Sequence, residues 1–129
     1  LTGSADKQCV FVTEKYGRYR IEYQAGSADA IMTTVYCYDI VAPEIKVGKL
    51  PASVKVGTTL TLLEAEYSDN DTVNEKLLFY VYVLYGNNIK ELVKNGSYTF
   101  KTAGKYTIRY VVYDEYQNYT VAEFTVTVR

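Results

Sequence analysis

Apolar and polar residues alternate along most of this chain, and short clusters of Gly, Asn and Asp interrupt the alternation. A period of two residues is typical of half-buried β-strands, because successive side chains of a strand point to opposite faces. No segment keeps a helical apolar stripe for three turns. The pattern predicts strands at residues 8–13, 18–25, 31–41, 44–47, 58–65, 76–85, 89–93, 97–101, 105–113 and 119–128. Many short strands at this spacing indicate an all-β sandwich or barrel.

Two distant segments of the chain match each other. Residues Gly17–Tyr23 (GRYRIEY) align with Gly104–Tyr110 (GKYTIRY) at an offset of 87 positions, which is 104 minus 17. The same offset continues downstream, where it places Val41 on Val128. The chain therefore contains an internal repeat.

The length of this repeat predicts how the chain is divided. An immunoglobulin-like β-sandwich has about 100 residues, which is close to the repeat of 87. We interpret residues 42–129 as one complete immunoglobulin-like β-sandwich module, and residues 1–41 as the last three strands of a preceding module. The boundary is expected at Ala42-Pro43, because proline cannot donate a hydrogen bond to a strand ladder.

The residues of the second copy also carry a family resemblance. The segment Gly104–Asp114 (GKYTIRYVVYD), with the polar turn and alternating strand after it, resembles the closing strands of bacterial immunoglobulin-like repeat domains. Val41–Ile45 (VAPEI) is similar to the junction between tandem surface repeats of the same superfamily. The resemblance implies a secreted or cell-surface bacterial protein in which neighbouring modules of this kind are partners. Residues 114–118 (DEYQN) lack the glycine that usually precedes the asparagine, so we expect a reshaped turn.

Tyrosine is the most unusual feature of the composition, with 15 of 129 residues, while histidine and tryptophan are absent. Tyr106 takes the place of the corner tyrosine of immunoglobulin-like domains, whose hydroxyl bonds back to nearby backbone. Tyr19 is its equivalent in the first copy. We expect a structural role for both, because a tyrosine with a partnered hydroxyl is an ordinary core residue.

A second group of tyrosines lies where both faces of a strand are apolar. If Phe79, Val81 and Val83 enter the core, the alternate residues of strand 76–85 lie outside, beside those of the last two strands. This outer patch contains Leu78, Leu84, Val111, Val121 and the candidate binding residues Tyr80, Tyr82, Arg109, Tyr113 and Tyr119. Large exposed apolar patches mark partner surfaces. The alternative is that residues 86–96 or an adjacent module cover the patch.

Charge and residue types exclude several kinds of function. The formal net charge is −1, which gives no electrostatic basis for binding nucleic acid or an anionic membrane. The longest apolar run, residues 77–85, has nine residues, whereas a membrane-spanning helix needs about 20. Without histidine there is no Ser-His-Asp or Cys-His pair, and we expect no enzymatic activity. Cys9 and Cys37 allow either a disulfide or two buried thiols.

Calcium is the one metal ion that the sequence makes a candidate. Asp69 and Asp71 lie in a polar loop, Ser68-Asp69-Asn70-Asp71, and hard oxygen ligands in a flexible loop suit Ca²⁺. Asp39 and Asp114 could add carboxylates near the module ends. The alternative is that these residues form ordinary solvated turns.

Two functional hypotheses follow. The first is a non-catalytic structural or spacer module that connects other domains of a bacterial surface protein. The second is an adhesion module that binds a cell-surface carbohydrate or protein through the tyrosine-rich face. A variant of this hypothesis is an accessory module of a polysaccharide-degrading enzyme.

The incomplete module of residues 1–41 exposes an apolar face and strand edges. We expect it to pack against a second copy of the chain or against the complete module.

Overall fold

The computed structural model of the chain describes residues 15–24, 26 and 29–129, and the strand predicted at 8–13 lies outside these residues. The chain is all-β and divides into two compact units, Leu1–Asp39 and Ile40–Arg129. Within the described ranges, no helix has the length and apolar character needed to cross a bilayer.

In the described part of the first unit, β1 (Gly17–Tyr23) and β2 (Ile31–Cys37) form an antiparallel hairpin. The predicted strand at 31–41 therefore ends at Cys37. Gly17 pairs with Cys37, whereas the sequence repeat would pair Gly17 with Val41, the counterpart of Val128. The pairing is thus shifted by four positions from that expected. An even shift keeps every side chain on its original face, because the side-chain period of a strand is two.

The second unit consists of nine strands in three sheets. The strands are β3 (Glu44–Val47), β4 (Ser53–Val54), β5 (Thr59–Thr61), β6 (Ala65–Ser68), β7 (Leu78–Tyr85), β8 (Asn88–Leu92), β9 (Ser97–Thr99), β10 (Gly104–Tyr113) and β11 (Tyr119–Val128). Five of them form one sheet in the order β4-β11-β10-β7-β8, and β3-β6 and β5-β9 form two antiparallel pairs. A short 3₁₀ turn, Asn74–Lys76, precedes β7.

The strand predicted at 58–65 is split into β5 and β6. The break lies at Leu62, whose side chain is completely buried and whose backbone N–H donates to the Gly96 carbonyl at 2.8 Å. Because β5 pairs with β9 and β6 pairs with β3, the two halves belong to different sheets. Alternation in the sequence predicted the extended backbone of this segment but not its change of partner.

The core of the second unit is sandwich-like, with apolar side chains from the five-stranded sheet and from the segments around the two small pairs. Tyr106, Ile108 and Tyr110 of β10 all point into it, as the alternation of that strand predicts. The buried cluster is Leu62, Val81, Val83, Val93, Phe100, Tyr106, Ile108, Tyr110, Val126 and Val128. Burial of such apolar area is the main favourable term in folding.

The turn between β10 and β11 is organised by one carboxylate. Asp114 Oδ1 accepts hydrogen bonds from the backbone N–H groups of Tyr116 and Asn118, both at 2.8 Å. Gln117 has φ +68°, a left-handed conformation that glycine adopts without strain. The counterpart of Asp114 in the first copy is Ser27, so the first copy lacks the carboxylate that sets this hairpin register.

Candidate functional site

Four tyrosines of the second unit form one continuous cluster on the outer face of the five-stranded sheet. The ring centres of Tyr80 and Tyr82 are 6.3 Å apart, and those of Tyr80 and Tyr113 are also 6.3 Å apart. Tyr113 and Tyr119 follow at 5.5 Å. Together with Arg109, they are the residues that the sequence singled out for binding, and we call these five residues the tyrosine face.

Strand register explains why residues far apart in sequence meet here. The central strand β10 pairs with β7 on one side and with β11 on the other. Tyr113 lies opposite Tyr119, and Arg109 lies opposite Tyr82. Directly opposed side chains on one face of an antiparallel pair lie within contact distance of each other. The tyrosine face therefore depends on the pairing of three strands.

Exposure varies across this surface. Tyr119 is the most open of the tyrosines, with 58% of its surface exposed, while Tyr80, Tyr82 and Tyr113 are half-buried. Leu78 and Val121 add exposed apolar area at the same end of the sheet.

Two residues expected in the exposed patch are buried instead. Val111 is only 5% exposed because it lies on the central strand, between Tyr80 and Val121 on the neighbouring strands. Leu84 is also 5% exposed, and it lies opposite Ile89 of β8. Residues 88–92 do not fold over the face, because they extend the sheet at its edge as β8.

Arg109 is engaged by an acidic neighbour. Its Nε donates to Oε1 of Glu123, directly across on β11, at 2.6 Å. The pair is partly solvent-exposed, so its contribution to stability is small, about 0.2–1 kcal/mol. It places a pair of charged groups beside the apolar surface and holds the guanidinium against β11.

The two corner tyrosines make the same local bond in the two units. The hydroxyl of Tyr106 donates to the carbonyl of Thr102 at 2.9 Å, and that of Tyr19 donates to the carbonyl of Lys15 at 2.6 Å. Both partners lie four residues upstream. Tyr106 is buried and packs against Phe100, with ring centres 5.0 Å apart. These bonds hold the start of each hairpin.

The fold brings the calcium candidates Asp69 and Asp114 together and leaves Asp71 apart. A carboxylate oxygen of Asp69 lies within 4.8 Å of one of Asp114. Asp71 is exposed and is not part of this group, and its backbone N–H donates to Asp69 Oδ2 at 3.1 Å. Asp39, the last residue of the first unit, is buried.

Hydrogen bonds connect the loop that carries Asp69 to the turn that carries Asp114. Asp69 Oδ2 also accepts from the backbone N–H of Thr72 at 2.8 Å, and the buried Thr72 hydroxyl accepts from the N–H of Glu115 at 3.2 Å. Asp114 Oδ2 accepts from the side-chain amide of Asn118 at 2.8 Å. The sequence offered Asp114 as an additional carboxylate for calcium near a module end, but its closeness to Asp69 depends on the packing of two loops.

The remaining sequence candidates are the cysteines. Cys37 ends β2 and is half-buried, while Cys9 lies outside the described residues. The disulfide therefore stays a prediction.

An open groove of about 820 Å³ lies away from the tyrosine face. Its lining contains both polar and apolar side chains, and it contains none of the candidate binding residues or candidate calcium ligands. The lining residues are Pro43, Glu44, Ile45, Lys46, Glu66, Tyr67, Ser68 and Thr120.

Comparison with known proteins adds no assignment. No protein-family model matches this chain, and no curated protein sequence matches it.

Proposed function

We propose that the second unit is a non-catalytic, immunoglobulin-like binding module of a secreted or cell-surface bacterial protein. The tyrosine face is its contact surface. The observation that carries this proposal is the continuity of the cluster, in which Tyr80, Tyr82, Tyr113 and Tyr119 follow one another at ring distances of 5.5–6.3 Å. Scattered or completely buried tyrosines would have removed its basis.

Strand order and one local bond support the immunoglobulin-like part of the proposal. A five-stranded layer, antiparallel except for the parallel pair β4-β11, opposes the pairs β3-β6 and β5-β9 around a single core, as in sandwiches of that class. The bond from Tyr106 to the carbonyl of Thr102 has the form of a tyrosine corner.

The geometry of the rings favours a protein ligand over a polysaccharide. Successive rings are inclined by 34°, 71° and 41°, so the cluster does not form the flat platform that stacks on a row of sugar rings. Leu78 and Val121 extend the surface with exposed aliphatic area. Tyrosine with aliphatic neighbours and a nearby arginine is typical of the centre of protein interfaces.

The experiment compares two double variants of the full chain on a microarray of purified extracellular proteins and polysaccharides. Tyr119→Ala with Val121→Ser removes exposed side chains of the patch, and Val56→Ser with Leu63→Ser removes exposed apolar side chains elsewhere on the second unit. We expect the first variant to lose binding to a protein target about ten-fold or more, and the second to bind as the wild type does. Equal loss in both variants, or binding to polysaccharides alone, contradicts the proposal.

A spacer function is the second candidate, and the repeated corner bond favours it. Tyr19 and Tyr106 make equivalent bonds in two units that follow each other along the chain, as in an array of similar modules. Replacing residues 42–129 in the parent protein with an unrelated β-sandwich of equal length separates the two functions. Retained activity of the parent supports the spacer, and loss supports the binding module.

Self-association through the first unit also stays a prediction. Its hairpin exposes Ile31, Met32 and Tyr36, and such apolar area favours association. Light scattering of the full chain tests it: a dimer that Met32→Asp dissociates supports it, and a monomer at all concentrations contradicts it.

A further inference from the structure

We infer that Asp69 and Asp114 bind a calcium ion at one end of the second unit. The two carboxylates belong to separate loops, residues 69–72 and 114–118, and carboxylate oxygens of the two residues lie within 4.8 Å of each other. Ca²⁺ binds oxygen at about 2.3–2.6 Å, so two ligands of one ion lie at most about 5 Å apart. The distance between these oxygens therefore matches a shared ion.

A buried oxygen without a partner is the second observation. Asp69 Oδ1 is shielded from solvent and accepts no hydrogen bond from any described residue, whereas Oδ2 of the same carboxylate accepts two. A buried carboxylate oxygen without a donor is unfavourable, because it has lost its hydration. A cation at this position supplies the missing interaction.

Asp114 is held in place before any ion binds. It is 4% exposed, and three N–H donors from Tyr116 and Asn118 fix its carboxylate. Rigid placement lowers the entropy cost of binding.

Basic side chains do not neutralise the two carboxylates. Within the described residues, ion pairs join Lys76 to Glu115 and Arg109 to Glu123, and neither includes Asp69 or Asp114. Two negative groups at this separation repel each other. Calcium is favoured over smaller ions because it accepts irregular sets of oxygen ligands, with water and backbone carbonyls completing its coordination.

The ion would link the loop of Asp69 to the β10–β11 turn. That turn lies between Tyr113 and Tyr119, so calcium stiffens the end of the tyrosine face. Binding of the ion is nevertheless independent of any ligand of that face, and the test below uses calcium alone.

The experiment measures thermal unfolding of the full chain in calcium chloride and in EDTA. We expect calcium to raise the midpoint of the second unit by about 5 °C or more, because a ligand that binds only the folded state stabilises it. Terbium, which occupies calcium sites, should luminesce on excitation of tyrosine, and calcium should displace it. The terbium measurement needs no substitution, so it remains informative if a variant does not fold.

Two asparagine variants in the same loop provide a matched test. Asp69→Asn should lose the calcium response, with affinity reduced about ten-fold or more, because ligand charge sets calcium affinity. Asp71→Asn removes an equal charge from an exposed side chain outside the pair, so it should keep the response. In EDTA, Asp69→Asn should melt at or above the wild-type midpoint, because it relieves repulsion.

Three outcomes would overturn the inference. The first is a wild-type midpoint and terbium signal that do not respond to calcium up to about 10 mM, well above the range of extracellular calcium modules. The second is equal loss of response in Asp69→Asn and Asp71→Asn, which indicates nonspecific screening. The third is an Asp69→Asn protein that keeps the full response.

Discussion

The hairpins β1–β2 and β10–β11 begin with nearly the same sequence but differ in their surroundings. Gly17 and Gly104 both have strongly positive φ, +141° and +146°. Two residues later, Tyr19 and Tyr106 bond back to a carbonyl four residues upstream. The backbone at the start of each hairpin is therefore similar in the two copies, although the strand registers differ.

Burial separates the two copies. Tyr110 of the second hairpin is 1% exposed, and its counterpart Tyr23 in the first hairpin is 44% exposed. The second hairpin pairs with β7 and faces the small sheets, whereas among the described residues β1 and β2 pair only with each other. A motif of seven residues thus specifies a tyrosine corner and a strand. Whether that strand becomes part of a core depends on the other strands that pair with it or pack against it.

The strongest test of this difference in burial replaces the two equivalent tyrosines, Tyr110 and Tyr23, with alanine. Tyr110→Ala should lower the free energy of unfolding of the second unit by about 3–5 kcal/mol, because it leaves a large cavity in the core. Tyr23→Ala should change that of the first unit by only about 0.5 kcal/mol, as surface substitutions do. Urea unfolding with hydrogen exchange separates the two units. Similar costs at the two sites would show that the first hairpin is covered in solution.

Alanine substitutions of Gly104 and Gly17, which lie two residues before the corner tyrosines, compare the surroundings of the two hairpins. Gly104→Ala should cost about 2–4 kcal/mol, because it adds backbone strain and an overpacked contact: its Cβ would lie 2.6 Å from Tyr85 Cε2. Gly17→Ala meets open space, so only the strain of about 1–3 kcal/mol remains. Thermal unfolding of both variants measures the difference. A larger cost at Gly17 would contradict the comparison.

Alkaline pH should lower the stability of the second unit through ionisation of Tyr110, a tyrosine of its core. Desolvation by burial raises the pKa of Tyr110 from 10.0 to about 12. The unfolded chain therefore ionises this group first, and stability that is fully present below pH 10 should decrease as the pH rises towards 12.

Unfolding midpoints measured across this pH range, in the wild type and in Tyr110→Phe, test the expected loss. The decrease of the midpoint with rising pH should be smaller in the variant but not absent. Burial, with smaller contributions from Tyr106 and Glu91, also raises the pKa of Tyr98. An unchanged slope would assign the effect to other groups.

The smallest effect is expected from the corner hydroxyls. Tyr106→Phe removes the bond to Thr102 and should cost about 1 kcal/mol, the usual net value of one hydrogen bond. Tyr19→Phe should cost about half as much, because water can replace its exposed bond to Lys15. Denaturant midpoints at neutral pH provide the measurement. An unchanged free energy of unfolding in Tyr106→Phe would show that Tyr106 stabilises the corner by packing and not by its hydrogen bond.

The tyrosine face was largely predictable from sequence. Alternation assigned Tyr80, Tyr82 and Tyr113 to the outer side of their strands, and the structure places them in one cluster with Tyr119. Exposure was less predictable, since burial of Val111 depends on which side chains flank it across the sheet.

The acidic site shows a different limit. The sequence pointed first to Asp69 with Asp71, neighbours in one loop, and offered Asp114 as an additional carboxylate, whereas the structure brings Asp69 to Asp114 and leaves Asp71 outside the group. Residues two apart in a turn need not converge, and residues 45 positions apart (114 minus 69) can meet when their loops lie at the same end of a sandwich. Only tertiary packing determines such a pair.

The sequence by itself determined the all-β class, most strands, the repeated corner and the inward-facing side of β7, β10 and β11. These properties depend on side-chain alternation and on local backbone chemistry, which neighbouring residues encode. The tertiary structure alone decided the split of the strand at 58–65, the register of β1 on β2, and the pairing of Asp69 with Asp114. Each of these depends on contacts between distant segments, whose free energy exists only once the segments are assembled.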